Sequence, residues 1–305
     1  MNVTEKRYND ITFRGARWLL LFVFYLQFLI PVLLKTKWSK YTQAPLPEFL
    51  TILSIQLFAV FVPCLVFIYL NNADFEKSFK LNTVTVPQGV MCALIGGSAQ
   101  SVASALNIPI LMIIRHKTGQ LPDVTTAVPE NMRQLLVFLV LIALIPAIFE
   151  EVLMRGIVLT TTQQKGYRAS LLIGGLYFAL LHNQIESIMG HFFLGFVLCY
   201  IVWMTESVLG GIIAHFSFNS SGILLNYLTK VKAIGKPWLG SDAFYLMITI
   251  LSFILFFLLF GTINRKRVRR NRSHKLMRQI IFSVLNLPII LIVLGYIMFQ
   301  LVRIF

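Results

Sequence analysis

Three short patterns hold the residues that could do chemistry. The first runs Glu150-Glu151-Val152-Leu153-Met154-Arg155, the second Phe178-Ala179-Leu180-Leu181-His182, and the third His215-Phe216-Ser217-Phe218-Asn219. All three fall inside long apolar runs. An ionisable group at the bilayer centre costs about 2.5–3.5 kcal/mol on insertion scales, so a cluster of them calls for an explanation. Helical spacing sorts them. Glu151 and Arg155 are i and i+4, share a face and pair, which gives both a supporting role. Glu150 is turned about 100° from Glu151 and is free to face a cavity. His215 and Asn219 present an imidazole and an amide from one face. Phe178 lies one turn before His182 and walls the same cavity. At a rise of 1.5 Å per residue, Glu150 lies roughly 15 Å from the inner end of its span, His215 about 12 Å, Asn219 about 18 Å and His182 about 20 Å. The four can therefore meet in one polar pocket within the membrane.

One Glu, two His and one Asn suit hydrolysis by either of two routes. A carboxylate in a low-dielectric pocket acts as a general base on water, while imidazole and amide donors stabilise a developing oxyanion. Alternatively, Glu150, His182 and His215 form a three-ligand Zn2+ set with an open water position. The most direct target of both is a peptide bond.

The elements that position these residues are membrane helices. The chain has 305 residues, 57% hydrophobic and 13% charged, with a mean hydropathy of +0.77. A soluble globular domain carries about 25% charged residues, so a soluble enzyme is excluded. A disulfide scaffold and a disordered chain are excluded by the three cysteines and the apolar content. Cys64, Cys92 and Cys199 sit in apolar stretches and read as small buried hydrophobes. Apolar runs predict about nine spans, at 18–34, 48–70, 86–114, 134–160, 169–183, 186–204, 207–228, 242–263 and 279–302. The fifth is short enough to dip into the membrane without crossing it. The expectation is an all-α polytopic transmembrane helical bundle of about 8–9 membrane helices around an intramembrane polar catalytic cavity. Three regions follow: N-terminal helices at 1–125, a catalytic core at 126–230, and C-terminal helices with a basic loop at 231–305.

Lys and Arg set the orientation. The side that holds the N-terminus collects more of them, chiefly through Arg265 to Arg278, with eight basic residues and no acidic one. The expectation is a multi-pass cell-membrane protein with a cytoplasmic N-terminus. The 265–278 loop reads as a contact for anionic lipid headgroups. It lacks the interleaved aromatics of a nucleic-acid site, so no nucleic-acid partner is expected. His191 reads as a helix-interface histidine, with support of the site as the alternative. Glu186 and Glu206 read as solvated span edges. Gly174-Gly175 and Gly210-Gly211 read as close-packing positions. Pro146, one turn before Glu150, reads as a kink that frees backbone groups near the site.

The ordered set E-E-x-x-x-R, F-x-x-x-H and H-x-x-x-N resembles the CPBP family, the CAAX-protease and bacteriocin-processing enzymes also called Abi, which includes the Ras-converting CAAX endopeptidase. The resemblance covers residues 130–225. It implies an intramembrane endopeptidase acting on a membrane-associated peptide or protein. Glu150 would activate water, and His182 would join in polarising or binding that water. His215 and Asn219 would form the oxyanion hole, with Glu151 and Arg155 in support. Such enzymes have been described as glutamate-type and as metalloproteases, so the cofactor is none or Zn2+, and the metal-free form is favoured because Asn219 suits an oxyanion donor better than a zinc ligand. Met154 stands where an aromatic is common. Among substrates a peptide precursor, such as a bacteriocin or pheromone precursor, is favoured over a prenylated CAAX-like terminus. The rivals are a non-catalytic scaffold or self-immunity protein of the same fold, a buried network that only joins helices, and a transporter. No internal repeat supports the transporter.

Overall fold

A computed structural model describes residues 11–42, 48–73, 81–122, 128–230, 241–264 and 276–304. The described residues are helical throughout, with no strand among them. Helix α1 is Phe13–Thr42. Helix α2 runs from Glu48–Ser54 through a π-helical stretch, Ile55–Phe61, into Val62–Leu70. Helix α3 is Val86–Thr118. Helix α4 is composite: Met132–Phe138, a π stretch Leu139–Leu144, Ile145–Glu151, a second π stretch Val152–Leu159, and Thr160–Thr162. Helix α5 is Tyr167–His182, α6 Ile188–Thr205, α7 Val208–Lys230 and α8 Asp242–Asn264. Two further helices follow, α9 Leu276–Val284 and α10 Leu287–Ile304.

Seven of these are long and apolar enough to cross a membrane. The protein is a multi-pass helical bundle. Two predicted spans are not single full crossings, and the first of them already reads as short in the sequence. The fifth, α5, has 16 residues, about 24 Å at 1.5 Å per residue, which falls short of a bilayer core of about 30 Å. It is buried along most of its length and packs along α6, so it is an interior helix. The predicted span 279–302 is broken between Val284 and Leu287. Pro288 has no N–H to continue a helix from Val284, and Asn286 Oδ1 instead accepts from the Ile289 N–H. The 265–278 loop lies largely outside the described residues.

Packing follows the small residues. Helix α3 lies against α7 and α8, and α6 against α5 and α3. At Gly195 on α6, a Cβ would stand 2.7 Å from the Phe178 Cβ, so only glycine lets α5 and α6 approach this closely. Helix α1 lies against the π stretch of α2 and against α10. Phe61 stacks on Phe149 with ring centroids 4.3 Å apart, which fixes α2 to the segment that bears Glu150.

Candidate active site

Glu150 and Glu151 end the α-helical segment Ile145–Glu151, between two π stretches. A π turn adds a residue per turn and is frequent at functional sites. Pro146 explains part of this. It has no N–H to give the Ile142 carbonyl one turn back, and the Asn219 Nδ2 donates to that carbonyl at 3.5 Å.

The two glutamates face different surroundings. Glu151 and Arg155 are both fully buried and pair at 2.6 Å. Glu151 Oε1 also accepts from His215 Nδ1 at 3.0 Å. Arg155 donates a second bond to the Gly195 carbonyl at 3.1 Å, and its guanidinium lies 4.9 Å from the Phe178 ring centroid. One carboxylate, one guanidinium and one imidazole therefore tie α4, α6 and α7 together. At Gly211 a Cβ would stand 2.7 Å from Glu151 Oε2, so α7 needs glycine there to reach this network.

Glu150 opens instead onto a cavity of about 930 Å3. His182 and Phe178 border the same cavity. Its walls are largely apolar, from Phe24 and Phe28 on α1, Ile55 on α2, and Met298 and Phe299 on α10. His215 and Asn219 do not border it. His215 stands behind the Phe178 ring, edge-on at 5.7 Å between centroids.

Hydrogen bonding fixes one nitrogen of His182. Its Nδ1 lies 2.8 Å from the Phe178 carbonyl. A carbonyl only accepts, so Nδ1 carries a hydrogen, and with that tautomer the neutral form of the ring turns an acceptor, Nε2, to the cavity. Nε2 lies 3.6 Å from Glu150 Oε2. That is too long for a direct hydrogen bond and joins two acceptors. Oε2 is buried with no hydrogen-bond partner among the described residues.

Several residues at the site carry no motif. His191 stacks on His182 with ring centroids 3.9 Å apart, and its Nδ1 lies 3.1 Å from Ser187 Oγ. The stack places it at the α5–α6 interface, directly behind His182. Gln56 donates to Glu150 Oε1 at 2.8 Å. Gln300 donates to the Asn183 carbonyl, next to His182, at 2.7 Å. Glu186, expected to be solvated, is 6% exposed. The 3-10 turn that bears it, Ile185–Ser187, packs against α3.

The zinc alternative requires Glu150, His182 and His215 to converge on one point. Among the described residues, no three His, Cys, Asp or Glu side chains are grouped to hold a metal ion. As placed, His215 is bonded to Glu151 and does not border the Glu150 cavity. The residues do not fit that centre, and no step below runs through a metal.

This fold is that of a polytopic membrane protein, and its site carries the residues that resemble those of CAAX proteases. Residues 132–221 match the family model described as type II CAAX prenyl endopeptidase Rce1-like. The matched segment contains all three motifs and is under a third of the chain. It supports the resemblance to the CAAX-protease family, and with it a CAAX-type intramembrane protease in general. No curated protein and no solved structure matches the chain.

Proposed function

We propose that this protein hydrolyses a peptide bond in a membrane-associated peptide, with Glu150 as the general base on water. The observation that carries this reading is the facing pair of acceptors, Glu150 Oε2 and His182 Nε2, 3.6 Å apart on one cavity. A water between them donates one hydrogen to each, which leaves its lone pair aimed at the substrate. Glu150 takes the proton as the water oxygen bonds to the scissile carbonyl carbon, and returns it to the leaving amine as the C–N bond breaks.

The oxyanion so formed needs donors. His215 gives its Nδ1 hydrogen to Glu151 and stands behind the Phe178 ring, so as placed it acts on the site through Glu151 and reaches an oxyanion only if that ring turns aside. Asn219 does not border the cavity, but its long 3.5 Å bond to the Ile142 carbonyl leaves the amide able to leave that carbonyl and turn toward the oxyanion. The apolar walls suit a substrate with a hydrophobic chain or a lipid anchor. The reading covers a CAAX-type terminus and a bacteriocin or pheromone precursor alike.

The test uses purified full-length protein in liposomes, with an internally quenched farnesylated CAAX peptide and a quenched precursor-leader peptide. Wild type is expected to cleave at least one of them, and Glu150→Gln and His182→Ala none. Cleavage at the wild-type rate by Glu150→Gln removes Glu150 as base. Activity lost to a chelator and restored by zinc replaces this mechanism with the metal route.

A further inference from the structure

We infer that Gln56, on the π stretch of α2, is a positioning residue for Glu150. It holds the carboxylate with Oε2 toward His182. This rests on the reading of Glu150 as the base.

Gln56 lies outside the family match, 94 residues before its partner. It is 8% exposed, in a run whose neighbours are apolar. A glutamine there is costly unless its amide is used. Its Nε2 donates to Glu150 Oε1 at 2.8 Å, while Oε2 is the oxygen facing His182. The bond thus assigns different tasks to the two carboxylate oxygens. Oε1 is fixed to the protein, and Oε2 is left for the water. The π stretch Ile55–Phe61 precedes Pro63, and the Phe61–Phe149 stack holds it against α4, so the donor is carried on a fixed support. Gln56 also borders the cavity, and its Oε1 is buried with no partner among the described residues. The amide has one committed end and one open acceptor beside the place assigned to the water.

A neutral donor bonded to a carboxylate favours the charged form over the acid. The charged or titratable groups around Glu150 are few. His182 faces it from α5, and Lys35 on α1 borders the same cavity. Glu151 and Arg155 on its own helix, and His215 on α7, form the separate network behind it. From α2 it meets Gln56, and α10 adds no charged residue among the described ones that line the cavity.

The experiment compares wild type, Gln56→Ala, the near-isosteric Gln56→Glu, and Glu150→Gln in liposomes. It reads kcat and KM against pH with the farnesylated CAAX peptide. Independently of turnover, infrared difference spectra against Glu150→Gln give the pH at which the protonated Glu150 carboxyl band appears. Loss of a hydrogen bond to a charged group is expected to move the acidic limb of kcat, and that infrared transition, upward by about one pH unit in Gln56→Ala. KM should hardly change. Gln56→Glu sets two carboxylates side by side, and the shift should be larger. Unchanged limb and infrared transition in both variants, with any loss uniform across pH, would overturn the assignment and leave Gln56 a packing residue. Full activity in Glu150→Gln would instead sink the reading of Glu150 as base.

Discussion

Gln300, on the last helix, donates its side-chain amide to the backbone carbonyl of Asn183 at 2.7 Å, and Asn183 directly follows His182. Asn183 ends α5 in the left-handed conformation, with φ of 48°. A residue in that conformation has few internal partners, and the amide from α10 supplies one. The turn that sets the direction of the His182 ring is thus held from 117 residues away.

Gln300→Ala is therefore expected to lower the thermal midpoint by a few degrees and kcat by about tenfold, because a buried carbonyl loses its donor. Gln300→Glu offers that carbonyl no N–H and should do no better. A kcat that stays at the wild-type value in Gln300→Ala would show that the α5 turn holds itself.

Arg155→Ala leaves the Glu151 carboxylate buried against His215 alone. Removing one partner of a buried pair costs about 3–5 kcal/mol. The expected outcome is poor yield or a strongly lowered thermal midpoint, partly regained in the double variant Glu151→Gln/Arg155→Met, where neither charge remains. A well-folded but inactive Arg155→Ala protein would point to direct contact with substrate, such as a terminal carboxylate.

Asn219→Ala should behave in the opposite way. Its bond to the Ile142 carbonyl, at 3.5 Å, is near the outer limit, so the fold should barely change. An amide donor to a developing oxyanion is worth about 10²–10³ in kcat, with KM nearly constant. Asn219→Asp should be at least as damaging, since it places negative charge where negative charge must develop. Full turnover in either variant would take Asn219 out of the chemistry.

The sequence shows some of this site plainly and some not at all. The Glu151–Arg155 pair was readable because both partners lie one turn apart on one helix. The separation of Glu150 from that pair was readable from the same 100° step. Gln56 and Gln300 were not readable as partners of the site, and His191 was readable as one only as the alternative to a helix-interface residue. Gln56 and Gln300 meet groups 94 and 117 residues away, so no local spacing connects them. His191 reaches His182 only because the chain reverses at Asn183, which sends α6 back along α5. The helix count was legible from apolar runs to within two elements. Length marked α5 as too short for a full crossing but did not place it in the interior, nor did it show that α9 and α10 are separate. The placing of His215 and Asn219 off the Glu150 cavity also escaped depth estimates, which measure height along a helix and say nothing of azimuth.

The π stretches on both sides of Glu150 make the face on which it points a matter of counting residues. Each such turn accommodates one residue more than an α-helical turn. Removing a single apolar residue from Leu139–Leu144, whatever its identity, would let that turn close to an α-helical one and leave Glu150 on the same face. Adding a residue there would swing everything beyond it by about 100°, carrying Glu150 out of the cavity and its neighbour out of the network that neutralises it. A deletion scan of that stretch would find it tolerant, and an insertion scan would find it unforgiving.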